Sequence, residues 1–140
     1  MDSNLERKAL SIVGRSGKAI IGSIDGEGFP NVKAMLMPRR HDGLRFFYFT
    51  TNTSSMRVKQ YRENPKAAVY FFNRFSYRGL LLKGTMEVRE DQETKDEIWR
   101  LGDRIYYPKG VTDPDYCVLK FSAAEGRVYE NQSSASFEID

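Results

Sequence analysis

The sequence predicts a mainly β domain with α-helical additions, in which an antiparallel sheet closes into a barrel. Short segments rich in aromatic and β-branched residues recur along the chain, and turns bearing Gly and Asp separate the first of them. Strands that are joined by such tight turns run antiparallel. The 140 residues show no internal repeat, so we expect one domain over residues 1–140 with a core of its own.

An N-terminal helix is predicted within residues 1–14. Ser3 and Glu6 have the spacing of a capping box, in which the hydroxyl and the carboxylate each accept from a free backbone N–H. Apolar residues recur at helical spacing over residues 4–13, which predicts an amphipathic helix with one face on the core. Gly14 is expected to end this helix.

Three strands in the first half of the chain are predicted from the turns between them. Asp25-Gly26-Glu27-Gly28 is one turn signal, and His41-Asp42-Gly43 is another. Together the three strands form an antiparallel meander. They are expected at residues 18–24, at residues 30–37 and in the aromatic run that starts at Phe46.

The second half predicts four more strands, one helix and a loop. Gly84 is expected to mark a bulge or a close backbone approach inside a long strand. Asp91 is expected to cap a helix that reaches Leu101, with Ile98 and Leu101 on its inner face. Residues 103–115 predict a loop rich in Pro, Gly and Asp, and residues 131–140 predict a polar tail. The strands are expected at residues 66–72, 77–89, 116–122 and 126–130.

Composition and charge exclude several classes of protein. The formal net charge is +3, but Lys and Arg are interleaved with Asp and Glu, so no basic patch for nucleic acid is indicated. The longest apolar stretches are far below the ~20 residues that span a bilayer, and no signal peptide is recognisable. Cys117 is a single cysteine, which excludes an internal disulfide and a zinc site. We therefore expect a cytoplasmic protein without membrane or nucleic-acid partners.

Residues 46–65 collect groups that can bind a phosphate. An aromatic strand is followed by the hydroxyl-rich segment Thr50-Thr51-Asn52-Thr53-Ser54-Ser55, and then by a short helix predicted over residues 56–62. Serine and threonine oxygens cap helices, and the free N–H groups of a first helical turn attract anions. Arg57 and Lys59 add two cations beside that turn. The alternative is a plain helix cap with both cations in solvent.

The same stretch carries a recognisable series of short motifs: Phe49-Thr50-Thr51, Ser54-Ser55, Arg57-Val58, Gln60 and Asn64-Pro65. This series resembles the phosphate-binding segment of the pyridoxamine 5'-phosphate oxidase-like, FMN-binding split-barrel family, and within it the general stress protein 26 type. The resemblance extends from about Ala19 to Tyr129. It implies that the barrel is a split barrel and that the protein is a homodimer with two flavin sites at the subunit interface.

The resemblance implies a set of residues around the FMN phosphate. Arg57 has a planar fork of donors that can grip two phosphate oxygens, so we expect it, rather than Lys59, to bind the phosphate. Because the threonines and the serines each form a doublet, two registers are open. The residues that match the phosphate-binding positions are Thr50, Thr51, Ser54, Ser55 and Arg57, and Phe49 precedes them on the strand.

The resemblance also implies residues along the flavin ring. Lys33 matches a basic position near the electron-rich pyrimidine end of the ring, where positive charge would stabilise the anionic reduced flavin. The adjoining strand residues Ala34, Met35 and Leu36 would form part of the wall. The alternative for Lys33 is a solvent-facing lysine on an amphipathic strand.

Three further residues are assigned by the resemblance alone. Arg78 would lie near the ribityl chain or the ring edge, and a surface arginine is the alternative. Trp99 lies in a segment that in relatives packs toward the dimer partner or over the flavin, and the alternative is that it covers the core. Tyr129 is near a position from which an aromatic side chain of one subunit contacts the flavin of the other.

The resemblance implies an FMN-binding flavoprotein, and in particular an oxidoreductase or flavin reductase that acts on a small molecule. NAD(P)H is a candidate electron donor, and a role in stress response is implied. Vitamin B6 oxidation is not expected, because the chain lacks the C-terminal segment that contacts the substrate phosphate in true oxidases and has Pro38 where they have a lysine.

Three alternatives remain at this stage. The protein could store or sense flavin without turnover. It could use a deazaflavin, or it could bind haem, which would need a histidine ligand. His41, in a predicted turn, is the one histidine of the chain, and a single histidine also argues against hydrolysis centred on it.

Overall fold

The computed structural model describes residues 2–140, which form one antiparallel sheet with three α-helices. Two short 3-10 turns, Leu101–Ile105 and Gly110–Thr112, overlap the predicted loop at residues 103–115. The elements in chain order are α1 (Ser3–Arg15), β1 (Ala19–Ile24), β2 (Pro30–Met35), β3 (Arg40–Asp42), β4 (Phe46–Asn52), α2 (Met56–Glu63), β5 (Lys66–Asn73), β6 (Arg78–Arg89), α3 (Gln92–Ile98), β7 (Tyr116–Glu130) and β8 (Ser133–Glu138).

The strands follow the order β2-β1-β5-β6-β7-β4-β3, and β8 pairs with the C-terminal half of β7. β6 and β7 are the long strands of the sheet. The N-terminal half of β7 pairs with β4, whereas its C-terminal half pairs with β8. Strand β7 therefore connects these two strands within the sheet. The arrangement is that of a split barrel with helical additions, and the predicted fold class is confirmed.

The main core lies between the inner face of the sheet and two helices. Every second residue of β4 is buried, beginning with Phe47, so this strand presents one face to the core. Helix α1 adds Ile12 and Val13, and α2 adds Val58. A smaller cluster covers the opposite face of β4 and β7, and it consists of Ile98, Tyr107, Tyr116 and Val118.

Gly84 lies at a β-bulge, as predicted. Lys83 is opposite Glu125 and Gly84 is opposite Ala123, so Ala124 is the extra residue of β7. A Cβ atom on Gly84 would overlap the carbonyl oxygen of Ser122 and lie 2.9 Å from the Cα of Ala123. Only glycine permits this approach of β6 to β7, and the bulge lets the two long strands bend.

Four details of the strands differ from the prediction. Residues 116–130 form one continuous strand rather than two, because the extra Ala124 is absorbed by the bulge. The predicted polar tail at residues 131–140 contains a strand: a two-residue turn after Glu130 brings β8 back along β7, and Phe137 packs over Gly126. Residues 40–42, two of which were expected in the turn at residues 41–43, form the short strand β3 on β4. Strand β2 ends at Met35, two residues before its predicted end.

Two helix predictions also need correction. Asp2, and not Ser3, caps α1, because the Asp2 carboxylate accepts from the Asn4 amide at 2.8 Å. Helix α3 has the predicted Asp91 cap and buries Ile98, but it ends there, and Leu101 is 82% exposed rather than on an inner face. Within residues 2–140, none of the helices combines the length and the apolar character needed to cross a membrane.

Candidate cofactor site

Arg57 and Thr51 form the centre of the candidate site. Thr51 is the last inward-facing residue of β4, and Arg57 lies in the first turn of α2, which follows directly. The Nη2 atom of Arg57 donates to the Oγ1 atom of Thr51 at 3.0 Å. Within residues 2–140, Arg57 Nε is the one buried side-chain N or O atom without a hydrogen-bond partner. An unpaired buried donor costs about 1–3 kcal/mol, so it is a natural place for an acceptor from a ligand.

The pairing of β4 with β7 separates the two threonines of the doublet. Thr51 is opposite Cys117 and faces the main core, whereas Thr50 is opposite Val118 and faces the smaller cluster. Neighbouring residues of a strand point to opposite faces, so only one of the pair can accompany Arg57. That residue is Thr51.

The two serines have separate local roles. The Oγ atom of Ser55 accepts from the Val58 amide at 3.3 Å, so Ser55 is the N-cap of α2. The Oγ atom of Ser54 accepts from the Asn52 side-chain amide at 3.0 Å and Ser54 is exposed. The capping interpretation is therefore correct for Ser55, while the Ser54 side chain is hydrogen-bonded to its neighbours, including Asp115.

Asp115 is a member of this site that the sequence did not indicate. Its Oδ1 atom accepts from the Thr53 hydroxyl at 2.9 Å and from the Ser54 amide at 3.0 Å. Burial alone would raise the pKa of Asp115, but these hydrogen bonds outweigh it and lower the pKa below its ordinary value. The carboxylate fixes the loop and takes two of its donors, which leaves Arg57 as the principal donor for an anion.

Lys33 and its neighbours lie on β2, a strand at the edge of the sheet. Lys33 is opposite Ile21, is exposed, and forms no ion pair within residues 2–140. Met35 is buried in the core, whereas Ala34 and Leu36 are exposed. Lys33 and Ala34 on β2, and Leu36 just after it, are therefore exposed to solvent.

The remaining predicted residues lie apart from Arg57. Phe49 is 1% exposed, so its side chain belongs to the core and only its backbone could line a site. Trp99 packs against Tyr116, with ring centroids 5.1 Å apart, on the face of β4 opposite Thr51, so it covers the smaller cluster. Arg78 is ion-paired with Glu130 at 3.1 Å, and Tyr129 lies across from the residue after Arg78.

The Nδ1 side of the His41 ring is already in contact with the protein and is not free to bind a ligand. Its ring stacks on Phe47 with centroids 5.3 Å apart, and its Nδ1 atom lies 2.9 Å from the Gly43 carbonyl oxygen. Within residues 2–140, no group of three or more His, Cys, Asp or Glu side chains is arranged to bind a metal ion.

Residues 11–139 match the family model described as pyridoxamine 5'-phosphate oxidase like. The chain belongs to this family. A protein from Clostridium acetobutylicum, described as related to general stress protein 26 of B. subtilis and to the pyridoxinephosphate oxidase family, is 37% identical to it. The two structures superpose with a TM-score of 0.90, over 100% of this chain and 98% of the other. The family resemblance of the sequence is confirmed.

Other proteins similar to this chain carry different descriptions. The pyridoxine/pyridoxamine 5'-phosphate oxidase of Pseudomonas putida is 32% identical over 87 residues, 61% of this chain, and the match spans 40% of that enzyme's length. An FMN-binding protein from Nostoc punctiforme has a TM-score of 0.73 at 13% identity, covering 99% of this chain and 96% of that one. A heme-binding protein from Mycobacterium smegmatis has a TM-score of 0.77 at 12% identity, covering 99% and 59%. These last two share the fold with this chain.

Proposed function

We propose that the protein binds FMN and acts as a flavin-dependent oxidoreductase or flavin reductase on a small molecule, in the setting of a stress response. The observation that carries this proposal is the buried Nε atom of Arg57 in the first turn of α2, for which residues 2–140 provide no hydrogen-bond acceptor. The family includes FMN-binding members, and their fold is the fold of this chain. A phosphate monoester supplies the oxygen acceptors that the Arg57 side chain needs.

The residues present fit a phosphate. Arg57 would donate from Nε to one phosphate oxygen, and Thr51 keeps the guanidinium in place through the Nη2 hydrogen bond. The N-terminus of α2 carries partial positive charge, which favours an anion at this position. Asp115 works against a phosphate through its negative charge, but its hydrogen bonds to Thr53 and Ser54 hold the loop in the conformation that exposes the helix end.

Lys33 is the residue best placed to assist the chemistry. FMN, when bound, accepts and donates electrons or hydride at its ring. An exposed cation on β2 without an ion pair would stabilise negative charge that develops on a ring lying along this strand. Ala34 points to the face of β2 opposite Lys33, so only its backbone could line a ring that lies beside the lysine.

A homodimer is part of the proposal. Val32 and Leu36 are 77% and 48% exposed, and Ile20, opposite Ala34 on β1, adds to the same apolar face. An exposed apolar sheet face next to an open edge strand is a surface that a partner covers. From the family resemblance we also expect Tyr129 of one copy to lie near the cofactor of the other. Sedimentation equilibrium should therefore give twice the chain mass, and a monomer at micromolar concentration would contradict this part.

Turnover is tested by anaerobic stopped-flow reduction. FMN-loaded protein is mixed with NADH or NADPH, and the flavin absorbance is followed. Bleaching much faster than that of free FMN under the same conditions supports an oxidoreductase. An unchanged rate with both nucleotides, followed by normal bleaching with dithionite, would favour flavin storage or sensing instead. Deazaflavin and haem would be recognised from the spectrum that the loaded protein retains.

A further inference from the structure

We propose that Lys95 of α3 is a positioning residue for the phosphate end of the cofactor and that it acts through the loop at residues 113–115, a role that rests on the proposed FMN site. Lys95 is 5% exposed, and no carboxylate of residues 2–140 lies within ion-pair distance of it. Lysines are rarely buried without an opposite charge, because it is costly to remove the ammonium group from water. A buried lysine without an ion pair therefore indicates a role that an apolar side chain could not fill.

Lys95 links α3 to the start of β7. Its Nζ atom donates to the carbonyl oxygen of Asp113 at 3.0 Å and lies 5.3 Å from the centre of the Tyr116 ring, whose electron-rich face attracts a cation. In return, the Tyr116 hydroxyl donates to the carbonyl oxygen of Lys95 at 2.9 Å. Tyr116 is completely buried, so both contacts are shielded from water. Together they fix the position of Asp113 relative to α3.

The loop at residues 113–115 is held in shape by the carboxylate of Asp113. Its two oxygens accept from the Lys109 amide at 3.2 Å and from the Asp115 amide at 3.0 Å. The Tyr116 amide donates to the Asp113 carbonyl oxygen at 3.0 Å. Asp113 is buried, so these hydrogen bonds are protected from solvent. Because Asp113 binds the Asp115 backbone directly, a shift of Asp113 would also shift Asp115.

Asp115 and its neighbour Pro114 hold the segment just before α2. The Thr53 amide donates to the Asp115 carbonyl oxygen at 2.8 Å, and the Thr53 hydroxyl donates to the Pro114 carbonyl oxygen at 3.2 Å. The Ser54 amide donates to the Asp115 carboxylate at 3.0 Å. Ser54 directly precedes the N-cap of α2, and Arg57 lies in the first turn of this helix. The position of the loop thus sets the position of the helix end and of the Arg57 guanidinium group.

Lys95 is not needed to satisfy the backbone of this loop. The Asp113 carbonyl oxygen also accepts from the Tyr116 amide, so removal of the ammonium group leaves no unpaired acceptor there. Methionine has a similar length, is flexible and has no charge to bury. We therefore expect Lys95→Met to fold as stably as the native protein but to hold residues 113–115 less firmly. Stability and the positioning of the loop can thus be measured separately.

FMN and riboflavin are the matched probes, because they differ only in the phosphate group. Fluorescence titration gives the Kd of each for the native protein and for the variants. For Lys95→Met we expect the Kd of FMN to rise about three- to tenfold, the size of one ordinary hydrogen bond, while that of riboflavin changes less than about twofold. Ile98→Ala is the control, since Ile98 is buried on the same helix but cannot hydrogen-bond to Asp113. It should lower the thermal midpoint and leave the ratio of the two Kd values unchanged.

An unchanged ratio of the two Kd values in Lys95→Met, or an equal rise of the FMN Kd in Ile98→Ala, would overturn the proposal. The native protein tests the proposed function separately, because equal Kd values for FMN and riboflavin would reject the phosphate site itself. Amide hydrogen exchange of the flavin-free protein keeps the role of Lys95 testable in that case. The Thr53 and Ser54 amides should exchange about three- to tenfold faster in Lys95→Met, while the Gly28 amide, which is hydrogen-bonded in the β1–β2 turn, should not change. Unchanged exchange at Thr53 and Ser54 would contradict a positioning role.

Discussion

Arg57 reaches back from the first turn of α2 to Thr51 at the end of β4, and this 3.0 Å hydrogen bond uses the Nη2 donor of its guanidinium group. The neighbouring Nε atom is buried and has no hydrogen-bond acceptor within residues 2–140. A strand end, a helix N-terminus and an unsatisfied cation thereby meet at one point. The proposed FMN site follows from this relationship, because a phosphate would satisfy all three.

Replacing Arg57 with Ala is expected to weaken FMN binding by about 1.5–3 kcal/mol, the usual range for a hydrogen bond to a charged group. Fluorescence titration of FMN into the flavin-free protein measures this. Lys59→Ala is the matched control, since Lys59 is exposed on the same helix, and it should change the affinity less than twofold. Equal effects of the two substitutions would mean that α2 attracts the cofactor only through its total charge.

The assignment of Thr51 rather than Thr50 is tested by a pair of threonine-to-valine substitutions. Valine has nearly the shape of threonine but lacks the hydroxyl acceptor for Arg57. We expect Thr51→Val to weaken FMN binding about two- to tenfold, the value of one ordinary hydrogen bond, because the guanidinium loses its fixed position. Thr50→Val, on the opposite face of β4, should have no effect on the affinity. The reverse result would mean that the threonine register is wrong.

Gly84→Ala tests the bulge between β6 and β7. The new methyl group would overlap the Ser122 carbonyl oxygen, so the two strands must move apart, and we expect a loss of unfolding free energy of about 1–3 kcal/mol or more. Gly14→Ala is a control of opposite sign, because a Cβ at this position in α1 meets no atom within 4 Å. It should raise the unfolding free energy by about 0.5–1 kcal/mol. Urea denaturation gives both values, and a neutral Gly84→Ala would show that the bulge can relax.

Protonation of Asp115 at low pH is expected to lower the free energy of unfolding. The pKa of Asp115 in the folded protein lies below the ordinary value of 3.8. The carboxylate therefore stabilises the fold fully above pH 3.8, and this stabilisation is lost as the pH falls through the folded pKa. Asp115→Asn keeps an oxygen acceptor for Thr53 and Ser54 but does not titrate. The unfolding free energy of this variant, measured with urea at pH 6 and pH 3, should fall less between the two values than that of the native protein. Identical decreases would assign the acid sensitivity to other carboxylates.

Local signals in the sequence were enough for much of the fold. The turn around Gly26 predicted the β1–β2 hairpin, Gly84 predicted the bulge, and Asp91 predicted the start of α3. All three features could be predicted because each depends on the conformation of a few neighbouring residues. Strand β8 could not be predicted from its serine-rich sequence. It exists because it pairs with β7 and because Phe137 covers Gly126, and neither cause is visible within the segment itself.

In the candidate site, too, residues close together in the sequence were predicted, whereas those that depend on long-range contacts were not. The sequence indicated Arg57 and the hydroxyl loop, since both lie in one short segment. It did not distinguish Thr50 from Thr51, because that choice depends on the pairing of β4 with β7. Asp115 was also missed, since it lies 61 residues from the Ser54 amide that it binds and nothing in its own loop marks it. Long-range contacts decide which of the local candidates can act together.

FMN binding is tested by an absorption spectrum of the purified protein after incubation with excess FMN and removal of free flavin by desalting. We expect a retained flavin spectrum with close to one FMN per chain, and loss of most of that flavin in the Arg57→Ala variant treated in parallel. A native protein that emerges colourless from the desalting column would contradict the proposed FMN site, and it would leave the Arg57 Nε atom to be explained by a different anion.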